Sequence, residues 1–186
     1  MGQWGNEAMG NEAMTSGRVW MAIAGVAALL AVALTVRTGT PGPTAAAPER
    51  ANLAITLKDM NGGDVRLDTF AGHPIVINLW ATWCGPCRLE MPQLIDMYAQ
   101  FKDRGLVMFG VSVDDTADLI RPFAKEFSVS YPLLVGLDHP DFLAALGYTG
   151  GVPMTVFIRK DGTVAERVIG IATTASMERR ILALFE

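Results

Sequence analysis

Cysteine and histidine are scarce in this chain of 186 residues, which contains two of each. One cysteine pair, with His73 and His139 at no zinc-finger spacing, cannot supply the four ligands of a structural zinc site. Basic residues are also few, with 15 Lys and Arg against 19 Asp and Glu, and they form no stripe that would neutralise phosphates. The composition therefore argues against a zinc-binding module and gives no reason to expect a nucleic-acid partner.

Apolar residues make up 51% of the chain, and much of that excess lies in residues 19–36, which carry no charge and are bracketed by Arg18 and Arg37. Such a run is short for a membrane-spanning helix and long for a cleavable signal. Either interpretation places the following residues outside the cytoplasm. We favour an uncleaved anchor, because the small residues at 45–47 lie far beyond the apolar run for a cleavage site.

The remaining composition predicts four segments. Residues 1–18 are polar and glycine-rich without a period, so we expect disorder there. Residues 19–36 form the predicted anchor, and residues 37–51, rich in Pro and small side chains, form a semi-extended linker. Residues 52–186 contain the globular domain.

The central motif joins an apolar run, residues 75–81, to Cys84 and Cys87 and then to a helical pattern. A helix N-terminus stabilises an anion, so we expect a lowered pKa for the Cys84 thiol and a nucleophilic role. Cys87 lies on the same helix face and is the predicted resolving thiol. Gly85 allows close backbone approach, and Pro86 fits the first helical turn. A structural disulfide is the alternative, but so short a loop gives little stabilisation in the loop-entropy model.

Strand and helix patterns alternate along the domain. The predicted strands are residues 53–57, 65–67, 75–81, 106–113, 131–135, 154–158 and 164–169. The predicted helices are residues 85–104, 119–127, 140–146 and 174–185. This order predicts an α/β fold with a mixed sheet between helices, in which chemistry gathers at the carboxyl ends of the strands, where the cysteines lie.

Two local assignments accompany this fold. The long helix is predicted to carry one apolar face, made of Leu89, Leu94, Met97, Tyr98 and Phe101. Asp115 and Asp118 have the spacing of an N-cap and its partner for the next helix. The pair Asp114 and Asp115 at a strand end is also compatible with a metal, but capping is the simpler interpretation, and we predict no metal site and no cofactor.

The sequence from Trp83 to Cys87, WCGPC, resembles thioredoxin. The longer stretch from Asn78 to Pro92, with residues 67–72 upstream and 151–155 downstream, is similar to the membrane-anchored TlpA/ResA-type thiol-disulfide oxidoreductases. The resemblance covers about residues 53–186. It implies a thioredoxin-like fold following an N-terminal transmembrane helix.

The resemblance also implies roles for further residues. Pro153 is expected to be cis and to face the dithiol, and the backbone of Val152 to pair with an extended substrate peptide. Trp83 either shields Cys84 or simply packs. Glu90 matches an acidic residue that manages protons near the thiols, although an ordinary helix glutamate favoured by the dipole is the alternative. Asn78 stands where thioredoxin has a proton-accepting Asp, and an amide cannot accept that proton.

The resulting hypothesis is a reductase of protein disulfides outside the cytoplasmic membrane, with Cys84 attacking and Cys87 resolving. Family members suggest apocytochrome c or copper-site assembly proteins as substrates. Because residues 19–36 contain no cysteine, a separate membrane-embedded thiol donor is implied. Two alternatives are a copper chaperone with His139 as third ligand and a peroxiredoxin-like peroxidase, although the Thr-x-x-Cys context of the latter is absent.

Overall fold

The computed structural model of the protein describes residues 48–186. The predicted N-terminal segment, the predicted anchor and residues 37–47 of the predicted linker lie outside the described residues. Within residues 48–186, no helix combines the length and the apolarity needed to cross a bilayer.

The strands of the described region form one sheet. They are β1 (Thr56–Asp59), β2 (Asp64–Arg66), β3 (Ile75–Trp80), β4 (Val107–Ser112), β5 (Leu133–Val135), β6 (Met154–Ile158) and β7 (Val164–Ile169). The α-helices are α1 (Gly85–Phe101), α2 (Ala117–Phe127), α3 (Pro140–Ala145) and α4 (Thr174–Ala183), with 3-10 turns at Leu67–Phe70 and Lys102–Arg104. The predicted order of elements is confirmed, with ends shifted by up to a few residues.

The sheet is mixed, as predicted. Its strand order is β2-β1-β5-β4-β3-β6-β7. β3, β4 and β5 are mutually parallel, whereas the pairs that involve β1, β2, β6 or β7 are antiparallel. β3 lies between β4 and β6 with every residue buried, which explains why its sequence is a continuous apolar run rather than an alternating one.

The carboxyl ends of the parallel strands locate the functional region. β3 leads directly into the loop that carries Cys84, and the neighbouring β4 ends at Ser112. β6 runs antiparallel to β3 and begins at Met154, which pairs with Leu79 near the end of β3. Pro153, just before β6, therefore lies at the same end of the sheet as the cysteines.

Helix α1 buries most of the predicted face, including Leu94, Met97 and Phe101. Its buried residues are Cys87, Glu90, Met91, Leu94, Met97 and Phe101. Leu89 is 76% exposed, so its assignment to the core face was wrong. The buried stripe starts from Cys87, and residues three, four and seven positions later share its side of the helix, whereas Leu89 is rotated away from it.

Helix α2 begins at Ala117, and its N-cap Thr116 makes no side-chain capping bond. The prediction that Asp115 caps this helix was therefore wrong. Asp118 lies in the first turn, where its carboxylate pairs with Arg121. The carboxylate of Asp115 instead accepts hydrogen bonds from Thr82, in the loop after β3.

The described end of the predicted linker joins the β6–β7 hairpin. Arg50 forms an antiparallel bridge with Thr163, and the Ala51 N–H donates to the carbonyl of Gly162 at 3.0 Å. The Glu49 carboxylate accepts two hydrogen bonds from the guanidinium of Arg167. The chain therefore enters the domain beside the turn of this hairpin.

Candidate active site

Cys84 and Cys87 form a disulfide at the N-terminus of α1, with their Cα atoms 5.3 Å apart. Cys84 is the N-cap residue, and its sulfur accepts a hydrogen bond from the Cys87 N–H at 3.1 Å. Pro86 occupies the first turn, where its missing N–H has no intrahelical acceptor to lose. The sequence pattern therefore delivers both sulfurs to one helix end.

The two sulfurs are not equivalent. Cys84 retains 3% of its surface, whereas Cys87 is fully buried, and the intervening Gly85 and Pro86 are exposed. The Cys87 N–H and the helix dipole favour negative charge at Cys84 once the disulfide is reduced. This asymmetry suits Cys84 to attack a partner and Cys87 to act only within the molecule.

The peptide bond between Val152 and Pro153 is cis, as the resemblance implied. Pro153 is buried, and its carbonyl accepts the N–H of Gly170 at 2.8 Å, which fixes the loop to the end of β7. Within residues 48–186, Val152 is half-buried and its backbone makes no hydrogen bond. The pairing of this backbone with an extended substrate peptide stays a prediction.

A buried polar cluster lies beneath the dithiol helix. The Asn78 side-chain amide donates to Glu90 Oε1 at 2.8 Å and to Thr155 Oγ1 at 3.2 Å. All three residues are buried, and within the described chain Asn78 Oδ1 and Glu90 Oε2 have no partner. Burial raises the pKa of Glu90 to about 7, and the hydrogen bond from Asn78 acts in the opposite direction. Glu90 is therefore not an ordinary surface glutamate, and burial brings its pKa close to neutral pH.

The loop before Cys84 is bound to the end of β4. Trp83 is 65% exposed, which rules out a core-packing role, and its indole Nε1 donates to both oxygens of Asp114 at 3.0–3.1 Å. Asp115 is buried and accepts hydrogen bonds from Thr82 and Ser112. Sequence reasoning missed these contacts, although two aspartates directly after a strand parallel to the cysteine-bearing one were a signal.

The two histidines lie at separate places in the described chain. His73 Nδ1 is 3.3 Å from the carbonyl of Gly105, near the start of β3 and hence at the opposite end of the sheet. His139 is the N-cap of α3. In the part of the chain that the structure describes, no three His, Cys, Asp or Glu side chains are grouped as metal ligands, so His139 does not join the cysteines as the copper-chaperone alternative required.

Comparisons with known proteins agree with this geometry. A family model described as the AhpC/TSA family matches residues 47–167. The thiol-disulfide oxidoreductase ResA of Bacillus cereus is 30% identical over 130 residues, which cover 70% of this chain and 73% of the relative. ResA of Oceanobacillus iheyensis is 33% identical over 121 residues, which cover 65% of this chain and 62% of that protein. A structure of MTB dsbF, in mixed oxidized and reduced forms, has a TM-score of 0.66 at 27% identity and covers 72% of this chain and 97% of its own.

Proposed function

This chain belongs to the AhpC/TSA family and, within it, to the TlpA/ResA-type thiol-disulfide oxidoreductases, and from this membership we propose that it reduces disulfides of partner proteins outside the cytoplasmic membrane. The observation that carries the proposal is the unequal sulfur pair at the N-terminus of α1. Cys84 lies at the N-cap with the Cys87 N–H directed at its sulfur, while Cys87 is buried behind it.

The reaction consumes the reduced dithiol. The Cys84 thiolate attacks one sulfur of the substrate disulfide, and the other substrate sulfur leaves as a thiolate that takes up a proton. Cys87 then loses its proton and attacks Cys84, which closes the enzyme disulfide and releases the second substrate thiol. Two electrons pass from the dithiol to the substrate. The two product thiols take up two protons, one equivalent to that released by Cys87 and one from the solvent, to which Cys84 had lost its own.

Glu90 is the proposed acceptor of the Cys87 proton. It lies three positions after Cys87 on the buried face of α1, and its pKa of about 7 allows it to take and return a proton near neutral pH. Asn78 holds the Glu90 carboxyl but cannot itself accept a proton. Proton acceptance in this chain therefore passes to Glu90, in place of an acid on the strand.

The direction of the reaction is proposed from the dipeptide between the cysteines. Gly85 and Pro86 are the residues found in thioredoxin, whose reduction potential is roughly −270 mV. Equilibrating the purified protein with a series of glutathione redox buffers measures the reduction potential of the dithiol. We expect a potential close to that of thioredoxin. A potential near about −120 mV, that of a strong periplasmic oxidant, would reverse the proposed direction.

The proposed site of action rests on residues 19–36, which we infer to anchor the protein with its domain on the outer face. A separate membrane thiol donor then supplies electrons, because this apolar run contains no cysteine. Carbonate-washed membranes should retain the full chain, and protease added outside spheroplasts should remove the domain. Recovery of the full chain in the cytoplasmic soluble fraction would contradict this placement.

Apocytochrome c and copper-site assembly proteins are the proposed substrate classes. In cells, a Cys87→Ser variant should accumulate mixed disulfides between Cys84 and its substrates, since the resolving thiol is gone. Non-reducing gels followed by mass spectrometry identify the trapped partners. A Cys84→Ser variant is the matched control and should trap none of them. Equal trapping by both variants would contradict the proposal that Cys84 is the attacking sulfur.

A further inference from the structure

A buried carboxylate holds the loop that carries Cys84. Asp115, which follows β4, is 2% exposed. Its oxygens accept the Thr82 N–H at 2.7 Å, the Thr82 hydroxyl at 2.7 Å and the Ser112 hydroxyl at 2.7 Å. Since Asp114 binds the Trp83 indole, two of the three residues between the end of β3 and Cys84, Thr82 and Trp83, are attached to the aspartates that follow β4.

Capping of the following helix does not account for this carboxylate. Its oxygens make no bond to the first turn of α2, whose N-cap is Thr116. Among residues 48–186, no Lys, Arg or His forms an ion pair with Asp115. Burying an unpaired charge costs several kcal/mol before hydrogen bonding, and three donors offset that cost here.

We propose that Asp115 is a positioning residue of the redox centre, which holds the Thr82–Trp83 loop so that the disulfide is favoured over the dithiol and the reduced enzyme is a stronger reductant. The residue does not touch a substrate. It acts through the backbone and side chain of Thr82, two positions before the attacking sulfur.

Two physical effects act in the same direction. Closing the disulfide requires Cys84 to stay at the N-cap with its Cα 5.3 Å from that of Cys87, and restraining its loop raises the effective concentration of one sulfur at the other. Reduction places a negative charge on Cys84 in the same turn that the Asp115 carboxylate holds, and like charges disfavour that state. Both effects stabilise the oxidised form.

The test is the equilibrium in which the enzyme disulfide and two glutathione thiols give the enzyme dithiol and one glutathione disulfide. It is measured at pH 7 on the full chain in detergent. Asp115→Ala should shift this equilibrium about tenfold towards the enzyme dithiol, which corresponds to about 30 mV for a two-electron couple. An unchanged equilibrium would overturn the proposal.

Asp115→Asn separates geometry from charge. Its amide oxygen can accept the Thr82 N–H and the Ser112 hydroxyl, and its NH₂ group can donate to the Thr82 hydroxyl. The loop therefore stays bound while the charge is removed. The expected result is a shift in the same direction as that of Asp115→Ala but smaller, and a shift towards the disulfide would contradict the proposal.

If the hydrogen bonds of Asp115 only stabilise the fold, a different outcome is expected. The potential reports only the difference in stability between the oxidised and reduced forms, so a bond that stabilises both equally leaves it unchanged. Asp161 is the matched control, because it accepts the N–H and hydroxyl of Thr163 at 2.8 and 2.7 Å in the β6–β7 turn, away from the dithiol. Asp161→Ala should lose stability to urea and keep the wild-type potential. If Asp115→Ala behaves in the same way, the proposal is wrong.

Thr82→Val keeps the test decisive if Asp115→Ala does not fold. It removes the hydroxyl bond to Asp115 and leaves the backbone bond, so about a threefold shift towards the dithiol is expected. A wild-type equilibrium there would reject the proposal. The proposed role of Asp115 requires only that Cys84 and Cys87 interconvert between disulfide and dithiol. An oxidising wild-type potential would defeat the proposed direction of the reaction and leave the comparison among variants intact.

Discussion

Glu90 combines burial with titration near neutral pH, and this has a cost for stability. Its pKa is about 7 in the folded protein because burial disfavours the carboxylate, against an ordinary value of 4.5. Below pH 4.5 both folded and unfolded chains carry the proton. As the pH rises, the unfolded chain releases it first, so the folded state loses relative stability until the pH passes about 7.

Glu90→Gln should remove this penalty while keeping an acceptor for the Asn78 amide. From pH 4.5 to pH 8 the free energy of unfolding of the wild type should fall by about 3 kcal/mol relative to the variant, which is 2.5 pKa units at 1.36 kcal/mol each. Urea unfolding of both proteins at the two pH values measures the difference. Asp96→Asn, at an exposed position on the same helix, controls for the loss of a carboxyl group. A constant gap between wild type and Glu90→Gln would contradict the buried-acid assignment.

At the scale of elements, Arg88, the residue after Cys87, connects α1 to α2. Its guanidinium lies 5.3 Å from the ring centroid of Phe123 and 5.0 Å from that of Phe127, and it pairs with Glu126. A planar guanidinium can stack on a ring while its N–H groups pair with a carboxylate, whereas an ammonium has no plane to stack. The dithiol helix is therefore joined to α2 by stacking as well as by charge.

Arg88→Ala should lower the free energy of unfolding by about 1–2 kcal/mol, and Arg88→Lys should recover only part of this loss. Urea unfolding measures both changes, provided that the m value is the same in the variants as in the wild type. Arg66→Ala is the matched control, because Arg66 forms an exposed pair with Asp68 and the structure records no aromatic ring beneath it in the described region. Equal losses at the two positions would show that charge pairing alone accounts for the Arg88 contact.

Sequence patterns predicted the elements well because periodicity is a local property. The apolar run of β3 and the turn between β6 and β7 are both found where expected. Capping by Asp115 was wrong because its carboxylate binds Thr82, which is distant in sequence and was invisible to a local rule. The contact of Asn78 with Glu90 depends in the same way on how a strand meets a helix. The cis bond at Pro153 followed only from resemblance, since few X-Pro bonds are cis.

At the scale of the whole molecule, the dithiol and the point of chain entry lie at opposite ends of the sheet. β6 begins beside the end of β3 and finishes at Ile158, which pairs with Ile75 at the start of β3. Arg50 bridges to Thr163 just beyond Ile158. A strand as long as β3 spans roughly 20 Å, so Arg50 and its bridge to Thr163 lie about one strand length from the end of the sheet that carries Cys84.

This arrangement predicts that disulfide reduction by the domain does not depend on residues 1–46, whereas its encounter with a membrane donor does. Residues 47–186 form one compact unit that contains the sheet, both cysteines and the contacts of Glu49 and Arg50. A fragment of these residues should reduce a soluble disulfide such as insulin within about twofold of the full chain in detergent, because this unit contains the dithiol, Glu90 and the residues that hold the Cys84 loop.

In cells, the same fragment exported to the periplasm without an anchor should lose most of its reduction by the proposed membrane donor. An untethered domain meets a membrane partner at a lower effective concentration than a tethered one. The fraction of Cys84 in the reduced form, measured by thiol alkylation of acid-quenched cells, reports this difference. A fragment that is reduced as fully as the anchored chain would show that residues 1–46 contribute nothing to meeting the donor, and one that fails on insulin as well would place part of the active site upstream of residue 47.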